Sequence, residues 1–407
     1  MAREVAEPME ERGPRRRWKP QVLLRGVMFL LFALSLFGGL HWYIGSRLIA
    51  GAGLSGAWAV GGWAVMGLLY LSLPLGFIAT RRMSGWRAKA LYWVAHLWLG
   101  AFGPVLSVVV LTDLVRWVAT LALSPDAARQ VAWGEAQAGA VLALVVPALA
   151  WGYRTARGRA KVEHVRVPLP NLGKDLEGLR IVQISDVHVG ETLDGRWLKR
   201  VVEQVNALRP DVVAITGDLV DGPVGRLRDE VAPLAGLQAK EGVFYVTGNH
   251  EYYWGGPAWM AEVRRLGITV LHNEHRVVRR GADALVVAGV TDLQGGQFNP
   301  AHACRPDLAL SGAPEGAPRI LLAHQPRAAA LAQGLGVDLQ LSGHTHGGQI
   351  FPFMFFVRLQ QPVVSGLKKL FGTWVYTNRG IGYWGPPLRI GPAPEITELT
   401  LVSGPGP

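Results

Sequence analysis

Four uncharged, apolar stretches dominate the first part of the chain, at residues 26–46, 57–79, 90–112 and 136–153. A spanning helix needs about 20 mostly apolar residues to cross a hydrocarbon core roughly 30 Å thick. Three of the stretches exceed that length and the fourth lies at its lower end. They predict an all-α membrane module of about four transmembrane helices over residues 22–153, behind a basic tail over 1–21. From residue 154 the pattern changes. A juxtamembrane linker and first strand occupy 154–174, and short aliphatic runs then alternate with helical spacing over 175–402. Runs at 179–185, 212–216, 243–247, 320–323 and 337–341 read as buried strands. Leu198, Val201, Val202, Val205 and Leu208 recur at helical spacing behind Asp194, a plausible N-cap. A second helix buries Leu227, Val231, Leu234 and Leu237, with Pro233 placed to shorten it. A third begins near Pro257 and buries Met260, Val263 and Leu266. Further strands at 268–271 and 285–290 complete a pattern that predicts layered sheets flanked by helices.

Charge sharpens the division. The net charge is +11, yet residues 1–161 hold 18 basic and 7 acidic residues while 162–407 hold 23 of each. The second module therefore lacks the overall basicity of a broad nucleic-acid surface, and no nucleic-acid partner is expected. Basic residues gather before the first span (Arg15, Arg16, Arg17, Lys19), between the second and third (Arg81, Arg82, Arg87, Lys89) and after the fourth (Arg154, Arg157, Arg159, Lys161). The other two loops carry only Arg47 and Arg129, with Arg116 ending the third span. The positive-inside rule then predicts a multi-pass protein of the inner or cell membrane with its C-terminal module in the cytoplasm. The rival reading takes Arg15–Arg17 as part of a secretion signal and exports that module. Ten of the fifteen Trp residues fall in 1–161, several near span ends, as interfacial Trp does. Asp113 and Arg116, three apart, are expected to pair on one helix face. The single cysteine, Cys304, excludes an internal disulfide and reads as an unreactive loop residue.

The strand-like runs end in residues that bind metals. In order these are Asp186-Val187-His188, Gly217-Asp218, Gly248-Asn249-His250-Glu251, His324 and Gly343-His344-Thr345-His346. Carboxyl ends of strands are where open α/β sheets place their sites. Carboxylate and amide oxygens mixed with imidazoles suit two adjacent divalent ions such as Mn, Fe or Zn. Asp186 and His188 flank Val187, so an extended backbone would point both to one side.

This order of motifs resembles the calcineurin-like metallophosphoesterases over about residues 175–402. Asn378-Arg379-Gly380-Ile381-Gly382 and Pro394-Glu395-Ile396 resemble the bacterial membrane-associated subgroup. The resemblance implies a four-layer α/β/β/α sandwich carrying a dinuclear metal centre. It implies one metal held by Asp186, His188, Asp218 and His346, and a second by Asp218, Asn249, His324 and His344, with Asp218 bridging. It makes His250 the catalytic proton donor or charge stabiliser for the leaving oxygen, after attack by a metal-bridging hydroxide. Relatives in that family cleave UDP-diacylglucosamine.

Several residues admit two readings. Glu251 either orients His250 or caps a helix. Asp221 reads first as a turn residue, and so does Asp292. Arg379 either meets a substrate phosphate or makes a structural ion pair. His164, His272, His275 and His302 have no motif partner. Residues 351–357 (FPFMFFV) are either core or a greasy lip beside the metals. With Trp254 and Trp259 they make a lipid-linked phosphoester or pyrophosphate the preferred substrate, with the bilayer itself as a partner. A soluble phosphodiester such as a cyclic nucleotide is the enzymatic alternative. A membrane sensor or regulatory module is the non-enzymatic one.

Overall fold

The computed structural model describes residues 20–82, 85–122 and 127–406. Four long helices come first: α1 (Pro20–Gly45), α2 (Gly56–Arg82), α3 (Trp86–Ala122) and α4 (Ala127–Arg157). Each contains a segment long and apolar enough to cross a membrane. Arg15, Arg16, Arg17 and Lys19, which carry part of the orientation argument, lie outside the described residues, as do the side chains of Arg81, Arg82 and Arg129.

Polar contacts tie the helices together near one end. Asp113 does not pair with Arg116. Its carboxylate instead takes Arg47 Nε at 2.7 Å, Tyr43 Oη at 2.7 Å and Gln137 Nε2 at 2.9 Å. Three partners from other helical segments satisfy more lone pairs than one neighbour on its own helix face. In α1, His41 is buried, bonds the Phe37 carbonyl through Nδ1 and accepts from Trp98 Nε1 at 2.8 Å. Its role is packing between α1 and α3.

The rest of the chain forms two six-stranded sheets. The first five strands are β1 (Lys161–Leu169), β2 (Arg180–Ile184), β3 (Val212–Thr216), β4 (Gly242–Val246) and β5 (Thr269–Val270). Then follow β6 (Glu274–Arg280), β7 (Asp283–Gly289), β8 (Arg319–Leu322), β9 (Leu339–Ser342), β10 (Gly366–Leu370), β11 (Thr373–Thr377) and β12 (Glu395–Ser403). One sheet has the order β1-β12-β2-β3-β4-β5, the other β10-β11-β9-β8-β7-β6.

Strand alternation produces the layers. Ile181, Val212, Ala214, Phe244 and Val246 face the second sheet and pack on Val287, Ile320, Leu322, Leu339 and Leu341. Val182, Ile184, Val213, Ile215 and Tyr245 point the other way, against Leu198, Val201, Val205 and Val263 from covering helices. Those helices are α5 (Gly195–Ala207), α6 (Val224–Val231), α7 (Asn249–Tyr253) and α8 (Gly256–Arg265). Asp194 caps α5 by accepting from Trp197 N. Pro233 lies in a 3-10 turn, Ala232–Gly236, that follows the shortened α6. Short helical segments and loops pack Ala309, Ala328 and Ala332 on the outer face of the second sheet. The architecture is α/β/β/α.

The membrane helices bear directly on this sandwich. A Cβ built on Gly100 would lie 2.4 Å from Leu388 Cδ1, one on Gly103 3.0 Å from Phe353 Cε2, and one on Gly152 2.7 Å from Ile390 Cγ1. The amide of Arg389 donates to the Gly152 carbonyl of α4 at 3.0 Å.

Candidate metal centre

The candidate metal-ligating motifs sit where strands of both sheets end and the backbone turns sharply. Asp186 and His188 are not extended. Their φ angles are 52° and 50°, and Asp218, His344 and His346 share the left-handed region at 51°, 70° and 50°. Such conformations are disfavoured for residues with a Cβ and are tolerated best by Asp, Asn and His. The strain is held by hydrogen bonds between loops: Asp186 N donates to Gly217 O at 3.0 Å and His188 N to Asp218 O at 3.1 Å. Turning out of the strand, rather than alternating along it, brings the two side chains into one site.

Three groups of donor atoms result, Asp186–His188–His346, Asp218–His324–His344 and His188–Asp221–His250, each with its atoms within 4.8 Å of one another. His188 Nε2 lies 3.1 Å from His346 Nε2, and His324 Nε2 lies 3.2 Å from both His344 Nδ1 and Asp218 Oδ2. His324 Nδ1 is 2.8 Å from the Thr216 carbonyl, which fixes the proton there and leaves Nε2 as an electron-pair donor. Asn249 Nδ2 donates to Tyr253 Oη at 3.2 Å, while its Oδ1 is buried without a partner. A buried, unpaired amide oxygen beside converging imidazoles and carboxylates fits a cation, and this donor set fits a pair of them. Crowding is tight: a Cβ on Gly343 would lie 2.2 Å from Asp186 Oδ2.

His250 belongs only to the third group, where it meets His188 through Asp221. Its Nδ1 lies 2.6 Å from Asp221 Oδ1, and its Nε2 lies 3.9 Å from Asp218 Oδ2. Burial lowers its pKa, but the carboxylates of Asp218 and Asp221 outweigh this and lift it to about 9. The same Asp221 oxygen is 3.0 Å from His188 Nδ1. Asp221 is thus not merely a turn residue, as its position in the sequence suggests. A parallel bridge between Val189 and Val220 draws it against both imidazoles. The one available signal was its place three residues after Asp218.

Glu251 caps rather than orients. Its carboxylate accepts from Gly248 N at 2.5 Å, Leu219 N at 2.7 Å and Asp218 N at 3.2 Å, so it clamps the Asp218 turn. Asp292 is a buried turn residue that accepts from Gln294 N and Gln325 Nε2. Arg379 makes a structural ion pair with Glu395 and with Glu163. Arg389, which no motif marks, has a fully buried side chain that donates to the carbonyls of Gly382, Gly380, Arg379 and His346. His164 meets Glu398, His275 bonds the Ala309 carbonyl, and His302 reaches Tyr252.

The aromatic residues also divide. Trp259 is core, with Nε1 donating to Gly222 O, and Trp254 packs partly buried on the same cluster. Residues 351–357 are not core: Phe353, Phe355 and Phe356 are 45%, 63% and 59% exposed. Trp384, 56% exposed, stands with its ring centroid 6.0 Å from that of His250.

A family model described as calcineurin-like phosphoesterase matches residues 179–348. An uncharacterized metallophosphoesterase of Bacillus subtilis is 34% identical over 236 residues, covering 56% of this chain and 80% of that one. One from Aquifex aeolicus is 32% identical over 243 residues, covering 59% and 91%. The chain belongs to the calcineurin-like phosphoesterases. A transmembrane protein with metallophosphoesterase domain from Danio rerio is 41% identical over 271 residues, covering 64% of this phosphoesterase. That match spans 62% of the Danio rerio protein's length.

Proposed function

We propose that this chain is a membrane-anchored dimetal phosphohydrolase acting on a lipid-linked phosphoester or pyrophosphate. The observation that carries the reading is the position of the donor clusters. Two residues after His346, Gly348 packs on Met354, which sits among exposed Phe353, Phe355 and Phe356, and Phe353 in turn touches the membrane helix α3 at Gly103. Asp186, His188, Asp218 and His346 would hold one metal, and Asp218, Asn249, His324 and His344 the other. Bound there, a pair of divalent ions supplies Lewis-acid polarisation of a phosphoryl group and a lowered pKa for water.

The chain's own residues do the rest. Asp221 fixes the His250 ring through Nδ1, so Nε2 is the atom placed to hand a proton to the departing oxygen. Glu251 and the Thr216 carbonyl hold Asp218 and His324 in register. Trp384 and the phenylalanines offer apolar surface to an acyl chain while the phosphate reaches the ligands.

The sandwich is assigned to the cytoplasmic side, supported by the basic residues around the ends of α2, α3 and α4. A reporter fused after Pro407 that works only outside the cytoplasm should stay silent, and a strong signal would reverse the assignment. The substrate class is tested with the full-length protein and added Mn²⁺, comparing nucleotide-lipid pyrophosphates and phospholipids with cyclic nucleotides. Preference for a cyclic nucleotide would overturn the lipid reading.

A further inference from the structure

A pocket lined by none of the candidate metal ligands lies where the last membrane helix hands over to the sandwich. It encloses about 410 Å³ and is lined by Arg157, Arg159, Arg200 and Glu203, with Trp197, Val201 and Ile381 among its apolar walls. Arg157 is the final residue of α4 and of its apolar span, so the pocket sits at the level where hydrocarbon gives way to water. Three arginines and one glutamate thus share the lining.

These arginines are not consumed by the fold. Arg157 donates to the Thr192 carbonyl at 3.2 Å and lies over the Tyr153 ring. Among the described residues, Arg159 and Arg200 make no ion pair and no side-chain hydrogen bond. Trp197, Val201 and Ile381 are buried and give the pocket a rigid apolar floor. A planar guanidinium matches a phosphate oxygen pair in bidentate fashion. Basic pockets at membrane-helix ends are placed to take phosphate-bearing headgroups.

We propose that this pocket binds the phosphate of an anionic phospholipid headgroup, at a site separate from the metal centre. The lipid held there is a resident one, not the substrate. A free phosphate shares the recognised chemistry, so the test must separate the two sources.

Full-length protein with its metals is solubilised in detergent and titrated with phosphatidylglycerol or phosphatidylcholine, with retained lipid read by native mass spectrometry. The wild type should retain phosphatidylglycerol in preference. R159Q/R200Q should weaken that retention roughly tenfold to thirtyfold, the scale of two basic contacts with an anionic lipid. R159K/R200K should recover part of it, which a folding defect would not. R196Q/K199Q removes two charges from α5, the helix of Arg200, outside the pocket and should change retention less than twofold. Equal losses in both glutamine pairs would reduce the effect to general surface charge and overturn the site. Unchanged retention in R159Q/R200Q would also overturn it. Displacement of the lipid by inorganic phosphate at equal concentration would assign the pocket to a soluble anion and overturn the headgroup.

Discussion

Asp221 Oδ1 lies 2.6 Å from His250 Nδ1, and this contact joins that imidazole to His188, a candidate metal ligand, because His188 Nδ1 shares the same oxygen at 3.0 Å. The two mutants should therefore differ. His250→Asn should keep both metals and lower turnover by roughly 10²–10⁴, less for a nitrophenyl ester that needs little protonation. Asp221→Ala should do this and also weaken metal affinity by about 10–100-fold, since an outer partner of a ligand is lost. Turnover and metal titration on both proteins decide the matter. Metal loss in His250→Asn would make that residue a ligand instead.

Asp218 faces all three donor groups. Burial alone would raise its pKa, yet His324, His250 and His188 outweigh this and hold the carboxyl well below its usual range. Asp218→Asn should abolish hydrolysis and reduce bound metal without unfolding the sandwich. Elemental analysis alongside circular dichroism reads both. Near-normal turnover with two metals bound would remove it from the bridging role.

Replacing Phe353, Phe355 and Phe356 with Ser should spare a small nitrophenyl phosphodiester and depress turnover of a lipid substrate by orders of magnitude. Burying one such side chain contributes roughly 1.5–3 kcal/mol. Their exposure predicts little change in melting temperature. A protein that melts early and loses both activities would place these rings in the core.

Cys304 should be slow to alkylate. Burial first, then Asp292 and Asp307, push its thiol up to about 12. At pH 8 the thiolate fraction is then lower by roughly 10³-fold than for a free thiol near 8.5. Iodoacetamide labelling of native and urea-unfolded protein measures the contrast, and equal rates would refute it.

Much of this architecture is written in local pattern. The aliphatic runs before Asp186, Asp218 and Asn249 identify β2, β3 and β4, because a strand buried on both faces is mostly apolar. Pro233 marks the end of α6 because it lacks the N–H that would continue the helix. What escapes is the result of distant pieces meeting. Alternation around Val187 suggests an extended segment, whereas inter-loop bonds force Asp186 and His188 into left-handed backbone. Asp113 has a helical neighbour at the right spacing, but its partners come from other helices. Arg389 is a lone charge among Pro, Leu, Ile and Gly, and nothing nearby reveals the carbonyls it satisfies.

Leu388 and Ile390 are buried partly because α3 and α4 cover them, through Gly100 and Gly152. A soluble fragment beginning near residue 160 would bare that seat together with the phenylalanines next to it. It would also strand the Arg389 amide that now bonds Gly152. Such a fragment should stick to itself or to detergent, and the loop that carries Arg389 beneath His346 should slacken. The helices are in this sense a missing wall of the enzyme, and a faithful assay begins with the wall in place.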